Sequence, residues 1–169
     1  MTEQGVNAPV WRVSQWLGLA PGQPEPCLPA LRGKVVVLHA FQMLCPGCVG
    51  HGLPQAQRIA DHFDPAQVAV IGLHSVFEHH AVMTPEALRV FLHEYAVSFP
   101  VAIDQAAAHG PIPLTMQAYA LRGTPSLILI DRRGQVRKHW FGAVQDMAVS
   151  SAICALLCEH STETSASMA

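Results

Sequence analysis

Three stretches of the sequence predict an α/β fold with a central, mostly parallel sheet, helices on both faces, and a C-terminal antiparallel hairpin followed by a last helix. VVVLHAF (35–41) and VAVIGL (68–73) are almost wholly apolar, as strands covered on both faces are, and the segment between them carries helical spacing. Two such strands joined by a helix make a βαβ unit with a right-handed crossover. Later, SLILI (126–130) and VRKHWF (136–141) flank Asp131-Arg132-Arg133-Gly134, the pattern of an antiparallel hairpin at a sheet edge.

Residues 1–33 are rich in Pro and Gly, with PGQPEPCLP at their centre, and show neither strand nor helix period. They predict an ordered lead-in arm, with the globular domain over 34–160. After the strand at 35–41, a helix is expected from Pro46 to His62, carrying apolar Val49, Leu53, Ala56, Ile59 and Ala60 and kinked at Pro54. Beyond VAVIGL, Thr84-Pro85-Glu86 supplies an N-cap, a proline suited to the first helical position and an acid in the first turn. The helix that follows turns Leu88, Phe91, Leu92 and Tyr95 to one side. FPVAI (99–103) reads as a short strand and 114–121 as a short helix. The final helix, Asp146 to Glu159, points Val149, Ile153, Leu156 and Leu157 inward, and the small polar tail, 161–169, is expected to be flexible.

Composition narrows the function. A chain of 169 residues buries roughly 70% of the surface its unfolded form exposes, so a core forms without disulfide staples. Half the residues are hydrophobic, 13% are charged and the net charge is -2, which argues against disorder, nucleic-acid binding and attachment to anionic lipid. No basic segment followed by an apolar core opens the chain, and no apolar run approaches the roughly 20 residues of a membrane span, so a soluble, cytoplasmic protein is expected. Five cysteines are too few for a disulfide scaffold; in a reducing compartment a close pair is redox-active or metal-binding before it is structural.

That pair is Cys45-Pro46-Gly47-Cys48, at the junction of the first apolar strand with its helix. The first N–H groups of a helix lack intrahelical partners and present about half a positive charge, so a thiol at Cys45 is expected to ionise below the free value of ~8.5. Cys48, one turn on, lies on the same face within reach of a disulfide. Pro46 has no N–H to strand, and Gly47 lets a substrate backbone come close. Attack by Cys45 and resolution by Cys48 is the chemistry this spacing suits, with the Cys45–Cys48 disulfide as the only redox group and no cofactor. Two other readings stand beside it. The cysteines are inert core residues, or they are half of a zinc or copper(I) site completed by His51, the His79-His80 pair or Cys154 and Cys158. For Cys154 and Cys158 packing is the expected role, and Cys27 is expected to be an isolated thiol.

In order and spacing, GKVVVLHAF, CPGC opening a helix, VAVIGL, a helix leading to FPVAID, and RGTPSLILIDRRGQV resemble the thioredoxin-fold thiol-disulfide oxidoreductases, in particular their TlpA/ResA-like (redoxin) branch related to the peroxiredoxins. The resemblance runs from about residue 33 to 160. It implies a thioredoxin-like fold and a protein that reduces disulfides of partner proteins and is recharged by a reductase. It also implies that Thr124-Pro125 is the family's cis-proline loop, which lies against the active-site pair and offers backbone hydrogen bonds to substrate. His39 stands six residues before Cys45, where thioredoxins carry a buried Asp, and is expected to take the proton of Cys48 during resolution; a buried, hydrogen-bonded histidine is the alternative. The family's tryptophan before the first cysteine is Leu44 here, so Phe41, Gln42, Met43 and Leu44 predict an apolar rim. Gln42 and Leu38 occupy the positions of the peroxiredoxin Thr and Pro, which leaves thiol peroxidase chemistry a lesser alternative. The loop His74–Met83 is expected to border the ligand crevice, with Glu78 as a rim residue.

Overall fold

Because VVVLHAF is apolar on both sides of its pleat, it is the strand that other strands must cover, and all seven of its residues are buried. The computed structural model describes residues 5–166, with side chains described to residue 159. Its strands are β1 (Val6–Asn7), β2 (Val13–Leu17), β3 (Val35–Phe41), β4 (Val68–His74), β5 (Val101–Asp104), β6 (Ser126–Ile130) and β7 (Gln135–Phe141). They form one sheet in the order β1-β7-β6-β3-β4-β5-β2. The helices are α1 (Leu53–His62), α2 (Pro85–Glu94), α3 (Leu114–Ala118) and α4 (Asp146–Ala166).

Parallel pairing is confined to β3, β4 and β5, the strands joined by helical crossovers. β6 and β7 form the expected hairpin, and β6 joins β3 antiparallel, with Ala40 opposite Ser126. The two outer strands fall within the segment read as a lead-in arm: β1 pairs antiparallel with β7 and β2 with β5. Both are short and mostly exposed, so they lack the apolar run by which a strand announces itself.

The side chains of β3 alternate between two cores. Val35, Val37 and Phe41 face Leu53, Ala56 and Ile59 of α1, Leu88 and Leu92 of α2, and Val149 and Ile153 of α4. Val36, Leu38 and Ala40 face the other way, where Met116 of α3 is joined by Trp11 and Leu28 of the arm. On this second face the arm does the work of a helix. Trp11 Nε1–H donates to the Tyr119 hydroxyl at 3.0 Å, which donates to Pro9 O at 2.8 Å; Arg12 N–H donates to Thr115 Oγ1 at 2.9 Å.

The helix over 84–94 begins as its sequence requires, with the Thr84 hydroxyl accepting from Ala87 N–H at 3.2 Å. Tyr95 departs from expectation: it lies past the helix end, exposed, with its ring stacked 4.3 Å from that of Phe91. The last helix continues to Ala166, past its expected end at Glu159 and into the segment read as a flexible tail. Residues 1–4 of the arm and 167–169 of the tail lie outside the described residues.

Candidate active site

The turn after β3 carries the cysteines. Gln42 O accepts from Cys45 N–H at 3.1 Å, and the chain is helical from Pro46 to His62, as its spacing predicts. The expected disturbance at Pro54 takes the form of a π-helical turn, Cys48–Gly52, in which Leu53 N–H reaches back to Cys48 O. Pro54 has no N–H for Gly50 O, and its ring crowds that carbonyl; widening the preceding turn relieves both. The wider turn brings Gly52 onto the ring of His39: a Cβ on Gly52 would fall 2.5 Å from His39 Cε1 and 3.1 Å from Pro125 Cβ.

Both cysteines are free thiols in unequal surroundings. Cys48 is wholly buried, whereas Cys45 is partly exposed. Cys48 N–H donates to Cys45 Sγ at 3.2 Å, and the Cys45 thiol donates to Thr124 O at 3.5 Å. Burial, and then its hydrogen bond with Cys45, push the Cys48 thiol up to about 12. The Thr124–Pro125 peptide is cis. Gly47, expected to admit a substrate backbone, is exposed and lies against Pro125: a Cβ there would sit 3.3 Å from Pro125 Cδ. Pro46 beside it is exposed.

His39 is only 1% exposed, and neither of its ring nitrogens has a hydrogen-bond partner. Native interiors rarely tolerate that, since such an atom forgoes about 1–3 kcal/mol. Burial, with the nearby His51 charge second, lowers its pKa to about 4, so the ring is neutral at ordinary pH. Phe41, expected on the substrate rim, is instead completely buried, its ring parallel to that of His39 at 5.9 Å and 5.2 Å from that of His74. It shares the His39 face of β3, and side chains two apart on a strand point the same way. Gln42 and Met43 are also buried, so of the four expected rim residues Leu44 alone, 56% exposed, faces solvent.

Glu78 is exposed, and a residue that sequence reasoning took only for rim holds it there. The Gln42 side chain accepts from Phe77 N–H at 3.3 Å and donates to Glu78 Oε1 at 3.5 Å, fastening the 75–83 loop to the cysteine turn. A polar residue between an apolar strand and CPGC was the available signal. Two further supports were missed. His74 Nε2 accepts from Met43 N–H at 3.4 Å, and burial lowers its pKa to about 4. Asp104 accepts from the N–H groups of Thr115 and Met116 and from the Ser75 hydroxyl, tying the start of the loop to α3.

The candidate metal ligands are not gathered around the cysteines. Among the described residues no group of three or more His, Cys, Asp or Glu side chains is placed to hold an ion. His51 Nε2 lies 3.0 Å from Val144 O, His79 and His80 are exposed on the loop, and Cys27 is exposed in the arm. Cys154 and Cys158, expected to pack, are exposed because they fall outside the inward stripe of Val149, Ile153 and Leu156. Also among the described residues, no helix is long and apolar enough to cross a membrane.

No family model matches the chain. A solved thioredoxin-like superfamily protein is 51% identical, with 90% of this chain and 96% of that one covered and a TM-score of 0.86. A solved thiol-disulfide isomerase from Corynebacterium glutamicum is 52% identical, with 89% and 97% covered and a TM-score of 0.83. The curated thiol-disulfide oxidoreductase ResA of Halalkalibacterium halodurans is 26% identical over 120 residues, 70% of this chain, and the chain spans 60% of that relative's length. With half its residues shared along nearly the whole of two solved structures, and a CPGC pair set against a cis-proline loop, the chain belongs to the thioredoxin-like superfamily and resembles its TlpA/ResA-like branch.

Proposed function

We propose that the protein is a thiol-disulfide oxidoreductase that reduces disulfides in partner proteins. The observation that carries this reading is the asymmetry of the pair: an accessible Cys45 sulfur that accepts the Cys48 N–H and touches Thr124 O, above a second thiol sealed from solvent. Cys45, as thiolate, attacks one sulfur of the substrate disulfide, forming a mixed disulfide and releasing the other sulfur as a thiol. Cys48 then attacks Cys45 Sγ, forming the Cys45–Cys48 disulfide and releasing the second substrate thiol. Two electrons and two protons pass to the substrate, and a reductase returns the pair to the dithiol.

Resolution requires Cys48 to lose its proton in a sealed site. His39 is the candidate acceptor: it is neutral, its nitrogens are unpartnered, and its ring rests on Gly52, one turn past Cys48. With the Cys48 thiol raised and the imidazole lowered, the transfer is uphill at rest, so the proton moves only as the new S–S bond forms. Pro125 and Thr124 shape the docking groove, with Pro46 and Gly47 at its edge. The reading keeps the protein in the cytoplasm, where a reductase can recharge it.

Reduction of insulin disulfides with dithiothreitol as donor, alongside elemental analysis of the purified protein, tests the activity. Turnover that disappears in Cys45→Ser supports it; stoichiometric tightly bound metal without turnover returns the pair to a metal-binding role. For His39, a pH profile of resolution left unchanged in His39→Asn eliminates the proton transfer.

A further inference from the structure

All the loops around Cys45 emerge from one end of the sheet, and the strand order fixes their sequence in space. β3, which leads to Cys45, lies between β4, which leads to Glu78, and the β6–β7 pair. At this same end Ala40 of β3 sits opposite Ser126, and Ser126 sits opposite Phe141. Cys45 is therefore flanked by the Glu78 loop on one side and by Phe141 and the 122–125 loop on the other.

The second flank is a built surface. Gly123 carries no side chain, and the edge of the Phe141 ring takes that place: a Cβ on Gly123 would lie 3.0 Å from Phe141 Cε2. Gly142 N–H donates to Pro125 O at 2.8 Å, holding the end of β7 to the proline loop. Phe141 is still 50% exposed, and the Arg122 guanidinium stands 5.4 Å from its ring centroid. Among the described residues Arg122 has no carboxylate partner, so its charge is open to a ligand. Two residues further on, Thr124 O receives the Cys45 thiol.

On the opposite flank Gln42 joins both parts: its backbone O receives Cys45 N–H, and its amide donates to Glu78. The reacting sulfur thus has a cation on an aromatic ring to one side and an exposed carboxylate to the other. A chain crossing Cys45 meets opposite charges at its two ends, and the pattern selects partner and direction together.

We propose that the substrate is an oxidised polypeptide whose cystine is flanked by an apolar residue and a carboxylate on the side that meets Phe141 and Arg122, and by a basic residue on the side that meets Glu78. This rests on the thiol-disulfide reading above. Phe141 supplies the apolar contact, while Arg122 and Glu78 orient the chain. The electron balance is unchanged: the peptide disulfide gains two electrons and two protons, and Cys45 and Cys48 become a disulfide.

The test uses two cystine-containing peptides of identical composition, one with Asp-Leu before the reacting cysteine and Lys after it, the other with Asp and Lys exchanged. Bis(2-hydroxyethyl) disulfide serves as a neutral third substrate. Second-order rates of oxidation of the pre-reduced protein are read by acid quench, alkylation and mass spectrometry. The wild type is expected to discriminate between the two peptides by about tenfold at low salt, and less at high salt. Because the readout is a ratio within each protein, a general loss of activity does not mask it. Arg122→Lys keeps the preference, Arg122→Gln reduces it, Arg122→Glu abolishes it because both flanks are then acidic, and Arg122→Glu/Glu78→Arg inverts it. Equal rates for both peptides in the wild type, or a preference that survives Arg122→Glu, overturn the proposal. No reaction with the neutral disulfide overturns the underlying activity, a result distinct from reaction without discrimination.

Discussion

Acid weakens this fold through two buried histidines. His39 and His74 are each 1% exposed, and burial lowers the pKa of each to about 4, against 6.5 in an unfolded chain. Between those values the unfolded chain binds protons that the folded chain refuses. Their contribution to stability is therefore complete above pH 6.5 and is lost as pH falls toward 4. For one such group the loss between pH 7.5 and pH 5.0 comes to about 2 kcal/mol, and for the two together about 4 kcal/mol. That is a large share of the 5–15 kcal/mol typical of a domain.

Urea unfolding under reducing conditions at pH 7.5, 6.0 and 5.0 reads this directly. His39→Asn and His74→Asn are each expected to lower stability at pH 7.5 yet to flatten its fall with acid by about 2 kcal/mol over that range. Asp146, whose carboxyl is held low chiefly by Arg58, also loses stabilisation in acid, but it does so in wild type and variants alike and cancels in the difference. Wild-type and His39→Asn stabilities that fall in parallel from pH 7.5 to 5.0 refute the burial argument. They also remove the case for a neutral His39 as proton acceptor.

Other consequences follow from the same geometry. Brief iodoacetamide treatment of the reduced protein at pH 8 is expected to label Cys45 and spare Cys48, whose thiol is sealed and raised to about 12; peptide mapping that finds both labelled equally contradicts this. Gly52→Ala drives a Cβ into His39 and is expected to cost about 1–3 kcal/mol, with most of the loss recovered in Gly52→Ala/His39→Ala; additive losses in that double-mutant cycle would mean that the two do not meet. Tyr119→Phe removes the acceptor of Trp11 and the donor to Pro9 O, and is expected to lower stability by about 1–3 kcal/mol in thermal or urea melts; no change would show that the arm adds little to the second core.

What the sequence revealed and what it hid follow from the range of the interactions. β3, β4 and β6 were legible because a strand buried on both faces needs an unbroken apolar run. The cysteine pair was legible because its chemistry is local. The arm was not: its value lies in Trp11 meeting Tyr119, 108 positions away, and nothing in NAPVWRVSQ announces that. Phe41 was misplaced for a different reason. Four consecutive residues before Cys45 were taken as one rim, although alternation along the strand puts residue 41 on the buried face of residue 39. Pro54 shows best how a local rule and a distant contact combine. Its missing N–H was visible as a flaw in a helix; the resulting π-helical turn places the side-chain-free Gly52 between His39 and Pro125, which come from β3 and the loop before β6. Restoring a regular helix with Pro54→Ala would improve local propensity, yet it would shift Gly52 against both partners. The variant is therefore expected to gain helix propensity and lose the fit around Cys48, seen as faster alkylation of Cys48; unchanged protection would show that the widened turn is incidental to the site.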